Sequence, residues 1–140
     1  MALNADANYV RRGPPGGRNE FGYVPSANAV IYRGALLGLT VAGTLQPIQT
    51  SGSVAFGGMA DRASNTQGQP VVQPFVVGLV GCWGLTVPTV TQANIGTYLR
   101  APVYATDDGT LTLTAASNLQ IGTLAGIDPN GQTFVTLLGT

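Results

Sequence analysis

The 140-residue chain contains no histidine. This removes the commonest general base and the commonest neutral metal ligand, and no Ser-His-Asp or Cys-His arrangement can be built from it. Its carboxylates are Asp6, Glu20, Asp61, Asp107, Asp108 and Asp128. A glycosidase needs two carboxyl groups facing each other across about 5–10 Å. Asp107, Asp108 and Asp128 lie in Asp-Gly and Asp-Pro-Asn-Gly stretches, where Asp bonds neighbouring backbone and shapes a turn. Glu20 follows a Gly/Pro-rich segment and Asp61 opens a polar one, so neither supplies a convincing partner. No catalytic residue is assigned, and the chain is expected not to be an enzyme. Calcium-loop spacing of acidic oxygens and zinc-type Cys/His pairs are both missing, so no metal ligand and no cofactor are expected. Residues 13–18 (GPPGGR) lack the Lys-Ser/Thr that completes a phosphate loop. The single cysteine, Cys82, cannot form an internal disulfide; in its apolar run it reads as a small buried hydrophobe. Trp83 beside it reads as core, with a stacking platform for sugar or a partner as the other reading.

Charge is scarce. Asp, Glu, Lys and Arg make up 9% of the residues, against roughly 25% in an ordinary domain. Six positive and six negative groups cancel, and mean hydropathy is +0.23. Near-zero net charge favours association, so much of the surface is expected to be coated by Thr, Ser, Asn and Gln or covered by other chains, as in a homo-oligomer. All basic residues are arginine; interfaces enrich Arg over Lys, and codon composition accounts for the bias equally well. A nucleic-acid partner is not expected, because the basic excess that phosphate binding needs is absent. The start, MALNAD, lacks the charged and apolar regions of a signal peptide. No apolar run approaches the ~20 residues that span a bilayer. A soluble product of the cytoplasm with no membrane partner is therefore expected.

The elements that would position these residues are strands. Residues 1–25 form a distinct unit, read as an extended N-terminal arm, because Pro and Gly in residues 13–17 disfavour both helix and central strand. Tyr9, Arg11, Arg12, Arg18 and Phe21 are its candidate contacts with a partner. Residues 26–140 form a β-rich body. Strands are predicted over 29–33, 36–41, 44–48, 53–60, 71–79, 80–87, 98–106, 110–114, 119–127 and 133–138, with residues 57–58 (Gly-Gly) at a bulge or bend and 61–69 (DRASNTQGQ) as an exposed loop. Asp108-Gly109 predicts a tight hairpin, and the Thr/Leu alternation after it puts Leu111 and Leu113 on one buried face. Residues 128–131 (DPNG) predict a second turn. Little helix is expected beyond a turn near residues 91–95. The fold class is all-β, a small β-barrel or β-sandwich with an extended N-terminal arm.

A run ending in Leu85-Thr86-Val87-Pro88 leads to Ala101-Pro102-Val103-Tyr104-Ala105-Thr106, then to Asp108-Gly109-Thr110-Leu111-Thr112 and to Gln120-Ile121-Gly122-Thr123-Leu124. This pattern, over residues 76–138, resembles the small capsid decoration, or cement, proteins of tailed bacteriophages. It departs from that family at Leu99-Arg100, where Gly-Asp is usual, and at Ala105, where an aromatic residue follows the tyrosine. The resemblance implies a compact β-barrel or sandwich, often trimeric, on the outer surface of the virion. It also implies the major capsid protein as partner, with the N-terminal segment reaching across coat subunits. A carbohydrate-binding module using Trp83, Tyr98 and Tyr104, or a minor structural module of a fibre, tail or surface layer, is the alternative expectation.

Overall fold

The computed structural model describes residues 2–7, 9, 11–12, 21–49, 52–67 and 76–139, with residues 11, 12 and 21 described by their backbone. These residues form β1 (Arg11–Arg12), β2 (Phe21–Tyr23), β3 (Val30–Ile31), β4 (Leu36–Leu39), β5 (Leu45–Pro47), β6 (Ala55–Ala60) and β7 (Ser64–Asn65). There follow β8 (Val76–Leu79), β9 (Cys82–Gly84), the helical turn α1 (Ile95–Tyr98), β10 (Pro102–Ala105), β11 (Leu111–Thr112), β12 (Leu119–Ile127) and β13 (Thr133–Leu137). One sheet has the order β1-β9-β13-β12-β10-β11, the second β2-β8-β6-β4-β5, and β3 pairs with β7. Every strand pair is antiparallel. The chain is thus all-β, built of curled antiparallel sheets.

The curl of the second sheet can be read from its hydrogen bonds. Phe21–Tyr23 pair with β8 at one edge. Immediately afterwards Val24 accepts a bond from the Leu45 N–H, and the Ser26 N–H donates to Leu45 at the other edge, making a parallel bridge between Pro25 and Leu45. One short segment therefore touches both edges, and the sheet bends round almost into a barrel. A barrel hides edges that would otherwise template aggregation.

That curl explains why Leu36-Leu37 does not alternate with polar residues. Successive strand residues point to opposite faces, and here both faces are covered. Leu36 and Met59 join a large core with Val103, Ile121, Leu124, Val135 and Leu137 of the first sheet. Leu37, Ala60, Leu45 and Val76 fill the smaller core inside the curl with Ile31 and Ala35. Each fully buried Leu or Val contributes about 1.5–3 kcal/mol from transfer out of water. The curl also needs close backbone approach. Gly57 is the bulged residue of β6, since Leu37 faces Gly58 and Gly38 faces Phe56. A Cβ on Gly58, at φ +96°, would lie 2.6 Å from the carbonyl carbon of Gly78 on β8.

The strand predictions for residues 119–127 and 133–138 match β12 and β13, and Asp128 shapes the turn between them by accepting from the N–H groups of Asn130 and Gln132. Three details differ from expectation. The Asp108-Gly109 hairpin is wider than a two-residue turn: Ala105 faces Leu111, and residues 106–110 contain no positive φ. Here the Asp107 carboxylate holds the Gly109 N–H at 2.9 Å, so a side chain does the work expected of an αL backbone. Residues 61–67, the described part of the predicted 61–69 loop, are not simply exposed, since β7 lies there and Thr66 is completely buried. Its hydroxyl donates to the Ser26 carbonyl at 2.6 Å and accepts from the Ala29 N–H at 2.8 Å. The helical turn starts at Ile95, because Asn94 first ties residues 89–94 into a turn by bonding Thr91 N–H and the Thr89 carbonyl.

Candidate functional site

The carboxylates are occupied with structure. Asp6 accepts the Arg33 N–H and Asp61 the Val77 N–H; Asp61 also pairs with Arg62 at 2.9 Å. Asp107 and Asp128 hold their own turns. Asp108 turns inward: it is 4% exposed and accepts the Leu3 N–H at 2.9 Å. Burial pushes its carboxyl above the usual carboxylate range, while the Leu3 bond pulls the other way. Glu20 lies outside the described residues. Among the described residues no group of three or more Cys, Asp or Glu side chains is gathered where it could hold a metal ion.

The segment expected to be an extended arm is, where described, sewn onto the body. Leu3 packs into the smaller core, the Ala7 N–H donates to the Arg33 carbonyl at 2.7 Å, and Tyr9 packs against the larger core. Burial, and then the nearby Asp108 carboxylate, raise the Tyr9 phenol above its ordinary value. Arg11 and Arg12 pair through their backbone with Trp83 and Cys82, and Phe21 pairs with Gly78. The described stretches on either side, Arg11–Arg12 and Phe21–Tyr23, are thus both paired to the body. The side chains of Arg11, Arg12 and Phe21, and all of Arg18, lie outside what is described. Of the five candidate contacts, Tyr9 is the one whose side chain is placed, and it faces the protein's own core. Strand pairing explains the difference: β9 offers an unpaired edge, and the nearest extended backbone able to fill it is the chain's own.

Tyr9 and Trp83 wall a notch of about 150 Å³ whose lining also includes Arg33, Met59, Asp61 and Leu79. Trp83 is partly buried against the large core and donates from Nε1 to the Val80 carbonyl at 3.1 Å. The alternation of β9 then turns Cys82 to the opposite face, where it is half-buried and free rather than in the core. Tyr98 packs against the large core from α1, and Tyr104 is half-buried on β10. Among the described residues, the notch that Trp83 lines includes neither Tyr98 nor Tyr104.

The feature that sequence reasoning missed is an apolar hairpin end. Between β4 and β5 the chain turns through Val41, which is 88% exposed, and Val54, 59% exposed, is bonded to the same end through its N–H to the Leu39 carbonyl at 2.8 Å. Ala42 and Ala55 beside them are exposed as well. The turn is rigid. The Thr40 N–H donates to Thr44 and the Gly43 N–H to Thr40, and the hydroxyl pairs Thr40–Thr44 and Ser26–Thr44 lie 2.9 and 2.7 Å apart. The available signal was a run without charge: residues 34–60 contain no Asp, Glu, Lys or Arg. Charge-free runs usually signify core, and only the hairpin geometry sets these valines in water.

Fold and surface thus define an all-β, barrel-type protein that exposes two valines at one hydrogen-bonded hairpin end. Comparison with family models, with curated proteins and with solved structures finds no match for the chain. Among the described residues no helix is long and apolar enough to cross a membrane.

Proposed function

We propose that this chain is a capsid decoration, or cement, protein of a tailed bacteriophage: a non-enzymatic subunit that binds the outer surface of the head shell at junctions between coat subunits and stabilises it. The observation that carries the reading is the hairpin end. Val41 stands in water on a turn locked with threonine hydroxyls, and Val54 beside it is held by its N–H bond to the Leu39 carbonyl; exposed apolar surface of this kind marks contact with another protein. Ordering is already complete before contact, so little entropy is lost on docking. The scarcity of charge and the resemblance of residues 76–138 to cement proteins support the same reading. Clamping follows from linkage. A subunit that binds only the expanded shell stabilises that state, and in a trimer three modest contacts act together with an avidity far above that of one.

The described parts of the N-terminal segment are engaged with the body, so the hairpin end takes the role of principal contact. The test mixes the purified chain with expanded heads of the phage that encodes it, stripped of decoration, and measures bound copies and the temperature of head rupture. Binding at a fixed copy number with a raised rupture temperature is expected. Replacing Val41 and Val54 together by Asp should abolish both effects while the circular dichroism spectrum stays β-type. Unchanged heads in the presence of the unaltered chain would overturn the reading.

A further inference from the structure

Residues 63–106 contain a single charged side chain, Arg100. It is placed in an unusual way. Its φ is +69°, a conformation that disfavours every residue carrying a Cβ and that glycine takes freely. Four backbone hydrogen bonds hold the corner: Leu99 N–H to Ile95, Arg100 N–H to Leu124, Ala101 N–H to Tyr98, and Leu124 N–H to Ala101, all between 2.8 and 2.9 Å. Ile95 and Tyr98 pack inward against the large core. The outer side of the turn presents Gly96, Thr97, Arg100 and Leu99, the last 46% exposed. Arg100 joins no ion pair among the described residues.

A surface arginine that served only solubility would need no such backbone, and the chain uses glycine freely elsewhere, 20 times in all. Non-glycine residues in left-handed conformation persist where the surroundings over-determine them, and they cluster at sites of contact and function. We infer that the Leu99–Arg100 corner is a second, electrostatic anchor that receives a carboxylate of the partner protein. This inference rests on the head-shell reading, and the carboxylate belongs to the outer surface of the coat. The guanidinium forks an Asp or Glu through two parallel N–H bonds, and Leu99 beside it shields the pair from water, as the rim of a hot spot does. The guanidinium charge attracts an acidic surface and repels a basic one. The rigid turn sets the direction of the side chain before contact.

The experiment titrates fluorescently labelled chain against the same stripped heads at low and high salt. The unaltered chain should bind, more weakly as salt rises. Arg100→Glu should weaken binding at least tenfold, and Arg100→Lys, which keeps the charge and loses the fork, by severalfold. Arg100→Gly relieves the backbone, so its melting temperature should rise while its affinity falls as far as that of the Glu variant. That opposition separates an anchor from a residue that merely supports the fold. Binding of the unaltered chain together with an Arg100→Glu affinity within threefold of it would overturn the anchor and leave the head-shell reading standing. Failure of the unaltered chain to bind heads at all would overturn both.

Discussion

The backbone N–H of Leu3 donates to the carboxylate of Asp108 at 2.9 Å across 105 residues of chain. The same Asp108 accepts the Leu36 N–H on its own carbonyl at 2.9 Å, so one residue in a hairpin loop ties the N-terminal segment to the strand that separates the two cores. Replacing it by Ala leaves a half-buried N–H without its acceptor, which costs about 1–3 kcal/mol. Urea unfolding should show that loss, and hydrogen exchange should show the Leu3 amide opening first.

The sign of the pH dependence at Asp108 differs from that of most carboxylates. Its folded value is raised, chiefly by burial, so the folded state holds the proton more tightly than the unfolded chain does. The stability associated with that proton is full below the ordinary carboxylate value and is lost as pH rises through the raised one. Asp108→Asn keeps an acceptor for Leu3 and cannot titrate. The stability of the unaltered chain, measured relative to this variant, should therefore increase on mild acidification. A difference that shrinks as pH falls would contradict the assignment.

Tyr9 gives the corresponding test in alkali. Its phenol is held above the ordinary 10.0 by burial and by Asp108, so its contribution is present below that value and is lost as pH rises through the folded one. Ionisation places a second negative charge near Asp108 and should loosen the N-terminal segment. Trp83 lines the same notch, so its fluorescence should change in alkali, and this change should be absent in Tyr9→Phe.

Gly34 supports the N-terminal segment at Ala7. A Cβ there would lie 2.5 Å from the Ala7 carbonyl oxygen, and the residue sits at φ +84°. Gly34→Ala combines a clash with a disfavoured backbone and should cost about 1–3 kcal/mol. Thermal melting would measure it. Gly43→Ala, also at positive φ but with open space around its Cβ, should cost less, and the difference between the two reports the contact with Ala7.

Thr66 tests the buried end of what looks like a polar loop. Thr66→Val keeps the shape but strands the Ala29 N–H and the Ser26 carbonyl, at about 1–3 kcal/mol for each group left unpaired in the interior. Thr66→Ser keeps both bonds and should lose markedly less in chemical denaturation.

Much of the architecture was legible in the residues themselves. The order of strands, the Asp128 turn and the Gly57 bulge come from local chemistry: β-branched and apolar runs, Asp bonding its own backbone, and a residue without a Cβ where strands crowd. Such features depend on neighbours a few positions away, which the sequence states directly. The role of Asp108 was not legible, because an Asp before Gly looks the same whether its carboxylate faces water or an N–H from residue 3. Nor was the fate of residues 1–25, since Gly, Pro and Arg mark an irregular segment without saying which sheet edge it will fill. Val41 and Val54 looked like strand residues. Only the curling of the second sheet, which buries both faces of Leu36-Leu37 and leaves its hairpin end in water, decided that they would be exposed. Burial is a property of how sheets close on one another, a sum over residues far apart in sequence, and it is there that the tertiary structure separated surface from core.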